Sequence, residues 1–128
     1  MLNKWLKDSG DYFYFVFRVL VGALFFLHGA QKFGWLGGSP VQLWSLFGLA
    51  GVIELVAGAL VVVGLLTKWA ALVSAIEMLV AYFMAHAPQG WNPLVNQGEL
   101  ALLYFAAFLV IAHCGAMKWG LDKTGSKH

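Results

Sequence analysis

The sequence predicts an all-α fold, a transmembrane bundle of four helices in up-down-up-down order. Three observations carry this expectation. Hydrophobic residues make up 61% of the 128 residues and charged residues only 11%, against roughly half and a quarter in soluble domains. Apolar runs of about 20 residues recur, enough to cross a hydrocarbon layer about 30 Å thick. Short connections join consecutive runs, which favours antiparallel neighbours. A soluble body of this size could not cover its surface with so little charge. An ordinary soluble globule, a disordered chain and a nucleic-acid binder are therefore excluded. The length suits one integral membrane domain over residues 1–128, with no separate soluble module expected.

Span one is expected over about 12–33. Lys4 and Lys7 ahead of it imitate a signal peptide, but Arg18 interrupts the run and no A-x-A-like site follows. Span two is expected over about 44–66, span three over about 69–86 and span four over about 98–117. Thr67-Lys68 is a tight link between spans two and three. Gly34 to Leu43 and Ala87 to Gln97, rich in Gly, Pro and Asn, are loops at the end opposite the termini. Lys4, Lys7, Lys68, Lys118, Lys123 and Lys127 lie on the terminal side and only Lys32 on the other. The positive-inside rule then places both termini in the cytoplasm; a prokaryotic cytoplasmic membrane is the expected location. Trp5, Trp69 and Trp119 mark one interface and Trp35, Trp44 and Trp91 the other. The single cysteine, Cys114, forms no internal disulfide or CxxC pair.

Arg18, Glu54 and Glu77 fall inside spans one, two and three. A charge at a helix centre costs roughly 2.5–3.5 kcal/mol to insert, so the three are expected to face the interior and find partners. One guanidinium can fork two carboxylates, while two close carboxylates resist joint ionisation, so one of Glu54 and Glu77 is expected to hold a proton. Ligand or proton handling is one reading of the trio; an inert clasp that sets helix register is the other. A second cluster forms an outer mouth, with His28, Gln31 and Lys32 ending span one, His86 ending span three, and Asn96 and Glu99 opening span four. Ligand binding and interfacial anchoring are its two readings. His28 and His86 share a depth, but no Glu-x-x-His pair accompanies them, and no metal is expected.

Several short motifs recur in a known order: Arg18; His28-Gly29-Ala30-Gln31-Lys32-Phe33; Gly51-Val52-Ile53-Glu54 with Gly58; Gly64-Leu65-Leu66-Thr67; Asn96-Gln97-Gly98-Glu99; and Leu121-Asp122. In this the chain resembles the DoxX family of small four-span membrane proteins. The resemblance implies a helical bundle tied to redox chemistry, a quinone as cofactor, other membrane subunits as partners, and Arg18, His28, Lys32, Glu54, Asn96 and Glu99 as pattern residues. Glu77 stands on its membrane cost alone. Ala116-Met117 departs from the proline-containing turn common at this point. The leading expectation is a quinone-associated subunit of a membrane oxidoreductase complex. The alternative is a non-enzymatic accessory or assembly subunit, with a proton or solute pathway third. Whether the chain is itself an enzyme is left open.

Overall fold

The computed structural model describes residues 1–40, 42 and 44–123. Lys127 of the lysine count and Leu43 at the end of the first loop lie outside them. Among the described residues the fold is helical, with one isolated bridge between Trp35 and Gly37 and no strand. The helices are α1 (Leu2–Asp8), α2 (Gly10–Lys32), α3 (Leu46–Val63), α4 (Thr67–Ala81) and α5 (Glu99–Cys114). A π-helical turn (Tyr82–His86) and a 3-10 turn (Ala87–Gln89) prolong α4. Three segments are long and apolar enough to cross a membrane: Gly10–Lys32, Leu46–Val63 and Thr67–Gln89. Helix α5 is shorter, 16 residues or about 24 Å. The expected fourth span to 117 thus ends early, because Gly115 leaves helical geometry at φ 73, ψ −158.

Helix α3 starts where Ser45 accepts the Gly48 amide at 3.1 Å, an N-cap that satisfies one orphan donor. It ends at Gly64, left-handed at φ 72, which turns the chain sharply into α4. Helices α2 and α3 pack through glycines seven residues apart on each. A Cβ on Gly22 would lie 2.9 Å from the Gly58 carbonyl, and one on Gly29 would lie 2.8 Å from that of Gly51. The two helices therefore run antiparallel with their backbones almost touching, as small residues permit where lipid supplies no hydrophobic drive. Helix α4 packs mainly on α5. Phe25, Val61, Ala71, Phe108 and Ile111 are buried between the helices, and Phe25 meets Phe108 at 4.7 Å between ring centroids. The outward faces carry exposed Leu20, Leu24, Val56, Leu72, Ile76 and Leu103, side chains suited to acyl chains.

The segment after α5 folds back onto the α3–α4 turn. The Leu121 amide donates to the Val63 carbonyl at 3.0 Å and the Asp122 amide to that of Gly64 at 2.7 Å. Lys68 donates to the His113 carbonyl at 2.9 Å, so a lysine of α4 covers the end of α5. A Cβ on Gly58 would sit 2.7 Å from the Phe26 amide nitrogen, whereas Gly10 has open space around it. Gly58→Ala is expected to cost about 1–3 kcal/mol and Gly10→Ala to leave stability undiminished. Thermal unfolding followed by size-exclusion chromatography in detergent checks both.

Candidate functional site

The structure divides the expected Arg18–Glu54–Glu77 trio between two places. Arg18 is completely buried, yet its partners are backbone carbonyls. Nε donates to Val61 at 3.0 Å, Nη1 to Ala116 at 2.5 Å and Lys118 at 3.3 Å, and Nη2 to Val62 at 3.2 Å and Trp119 at 2.9 Å. A guanidinium has five N–H donors, and all five are used. None remains for Glu54 or Glu77, and Val61 lies about 10 Å along α3 from Glu54. The Arg18 charge rests on the partial negative charge at the end of α3 and on the returning segment, with the Phe15 ring 5.3 Å away.

Asp122 completes this clasp. Its Oδ1 accepts the Leu66 amide at 2.8 Å and its Oδ2 the Thr67 amide at 3.0 Å, capping α4 from a distant part of the chain. The Tyr14 hydroxyl donates to the Gly115 carbonyl at 2.7 Å. Burial alone would raise the Asp122 carboxyl, but the Thr67 and Leu66 amides, with Arg18 nearby, hold it below the ordinary carboxylate range.

The second place is the loop half of the molecule. Lys32, the last residue of α2, reaches Glu54 with Nζ–Oε1 at 2.7 Å, and the Glu54 side chain is only 3% exposed. Gly29 makes this possible, since a Cβ there would press on Glu54 Cβ at 3.0 Å. Glu77 neighbours Glu54 from α4, and its Oε1 is buried with no hydrogen-bond partner among the described residues. The His28 ring, one helical turn before Lys32 on α2, stands edge-on to buried Tyr104 at 5.6 Å and 89°. Lys32, Glu54, Glu77, His28 and Tyr104 thus form one constellation drawn from α2, α3, α4 and α5.

The rest of the expected outer mouth is arranged differently. Asn96 is fully buried, but its amide is committed. It donates to Tyr82 Oη at 3.1 Å and to the Gly90 carbonyl at 2.9 Å, and its Oδ1 accepts the Gly98 amide at 2.8 Å. His86 Nδ1 lies 3.2 Å from the Asn96 carbonyl. These two residues tie the second loop to the π-turn. Gln31 and Glu99 are exposed, Glu99 in the first turn of α5. No group of three or more His, Cys, Asp or Glu side chains among the described residues converges as a metal site would require. Tyr82 and the capping role of Asp122 escape a reading by periodicity, because both act through loops remote in sequence.

Long apolar helices with exposed aliphatic faces and buried ionic groups between them define an integral membrane protein in contact with lipid. Residues 13–87 match the DoxX family model, and the chain belongs to the DoxX family. A Haemophilus influenzae protein, described only as uncharacterized, is 39% identical over 125 residues, covering 91% of this chain and 93% of that one. Another from the same organism, likewise uncharacterized, is 36% identical over 69 residues, covering 54% of this chain and 46% of its own length. No solved structure matches the chain.

Arg18→Lys leaves three donors for five carbonyls and is expected to cost about 2 kcal/mol or more. Asp122→Ala is expected to cost about 0.5–2 kcal/mol. Because the folded Asp122 carboxyl is lowered, its contribution is fully present above the unfolded value near 3.9 and fades as pH falls through the folded value. Unfolding midpoints of wild type and Asp122→Ala measured from pH 7 downward should converge in acid; a constant gap would contradict the assignment.

Proposed function

We propose that this DoxX protein is a quinone-associated subunit of a membrane oxidoreductase complex. In this reading α5 is the fourth span of an up-down-up-down bundle in the prokaryotic cytoplasmic membrane, with both termini cytoplasmic. The observation that carries the reading is the Lys32–Glu54 ion pair with the unpartnered Glu77 oxygen beside it. One ammonium against two carboxyls leaves a charge excess that a low-dielectric interior resists, so one carboxyl of the pair holds a proton. Such a group can take up and release protons within the membrane.

The residues present suit a quinone head. Lys32 is a donor, and His28 has a polar ring edge beside Tyr104. An apolar groove formed by Phe33, Trp35, Val52, Leu55 and Val56 lies on residues adjoining Lys32 and Glu54 in sequence and suits an apolar tail. When bound, a quinone supplies two-electron, two-proton redox chemistry; electrons come from a partner subunit or the quinone pool. In this assignment Lys32 and His28 orient the head, and Glu54 and Glu77 hold the exchangeable proton.

A second reading is a non-enzymatic accessory or assembly subunit. It is favoured by the complete use of Arg18 on backbone and by the apolar grooves along α2 and α3, including that of Ala23, Phe26, Leu27, Ala59, Val62 and Val63, which a partner helix could fill.

Gentle extraction followed by quinone assay separates the two. The first reading expects bound quinone in the wild type and about tenfold or greater loss of affinity in Glu54→Gln or His28→Ala. Wild type without quinone, co-purifying with a complex that Glu54→Gln retains, favours the second. The proton assignment has its own check. Infrared difference spectra near pH 7 should show a carboxylic-acid band that Glu54→Gln or Glu77→Gln removes, and a spectrum unaffected by either substitution refutes it.

A further inference from the structure

We infer that α1 is an anchor for anionic lipid headgroups on the terminal side of the membrane. Leu2, Trp5 and Leu6 follow three-and-four spacing and share one face of α1, while Asn3, Lys4, Lys7 and Asp8 occupy the rest. None of the residues of α1 is buried, and Leu2 and Trp5 remain 67% and 57% exposed. A short amphipathic helix with an apolar face that no protein surface covers is matched to the boundary between headgroups and acyl chains.

Two further observations select the occupant. The apolar face continues one already turned to lipid: Trp5 packs edge-on to Phe13 at 5.9 Å, and Tyr12, Phe13 and Val16 at the start of α2 are exposed. The charge also fits. At this end of the fold Asp11 is engaged by Lys118 at 3.1 Å, and Asp122 is turned onto the Leu66 and Thr67 amides. Lys4 and Lys7 form no ion pair among the described residues, and Asp8 is the single acid on their own helix. Two unpaired ammonium groups beside an immersed Trp are complementary to the phosphates of an anionic leaflet. This inference is independent of the quinone assignment.

Its test uses the full chain in nanodiscs of neutral phosphatidylcholine or of phosphatidylcholine mixed with phosphatidylglycerol. Cys114→Ala removes the native thiol and Leu6→Cys places one on the apolar face of α1. A water-soluble maleimide then reports exposure. Labelling should be slow in mixed discs and about 10- to 30-fold faster in neutral discs, and Lys4→Gln with Lys7→Gln should abolish the difference. Equal rates in the two lipids would overturn the inference. So would protection in neutral detergent that grows with protein concentration, which would assign the face to a second copy of the chain.

Discussion

Everything in this fold depends on how the turn between α3 and α4 disposes of its backbone polar groups. A helix end leaves four carbonyls without intrahelical partners, and near a bilayer core each costs several kcal/mol if unpaired. At the end of α3 every one is accounted for. The Leu60 carbonyl takes the Leu65 amide at 2.9 Å, those of Val61 and Val62 take Arg18, and that of Val63 takes Leu121. The Asp122 carboxylate then accepts two amides at the start of α4. A buried cation from α2 and a distant carboxylate together let the chain reverse in a very short link, and the returning segment that carries the carboxylate is held by the same bonds.

That commitment sets the chemistry of the remaining charges. With Arg18 consumed by carbonyls, Glu54 and Glu77 must look elsewhere for a cation, and among the described residues Lys32 pairs with Glu54. Lys32 has the geometry for it because Gly29 and Gly51 bring α2 and α3 together three residues before the end of α2. The close helix approach and the ion pair are therefore one device: a side chain on Gly29 would push on Glu54 as well as on the α3 backbone.

Much of this was legible in the residue pattern, and the misses share a physical origin. The long apolar runs gave α2, α3 and α4 to within a few residues, because hydropathy reports directly on lipid. Intramembrane cost correctly marked Arg18 and Glu54 as buried. It could not name their partners, since cost is a property of one residue and pairing is a property of two helices. The residue pattern matches Arg18 to carboxylates because charges invite charges, whereas five carbonyls, two at the end of α3 and three on the returning segment, satisfy a guanidinium equally well. Asn96 looked like a ligand donor because it is polar beside a span; its three bonds to Tyr82, Gly90 and Gly98 depend on a π-turn that no periodicity announces. The glycine spacing was there to be read: Gly22 and Gly29 stand seven apart, as do Gly51 and Gly58, and the structure pairs them in antiparallel order.

The two ends of the molecule consequently differ in kind. At the terminal end buried Arg18 and half-buried Asp122 meet partners in full, although the buried Thr67 Oγ1 there has no hydrogen-bond partner among the described residues. At the loop end Glu54 is paired, Glu77 keeps an unpartnered oxygen and His28 keeps a ring edge against Tyr104. A half-satisfied polar cluster is poorer than an apolar core as a stabilising device. Its presence is hard to account for by register alone, because the glycine seam and the Arg18 clasp already define how α2, α3 and the returning segment meet. The unpartnered Glu77 oxygen beside the Lys32–Glu54 pair is therefore the observation on which the proposed exchange of a proton or ligand rests.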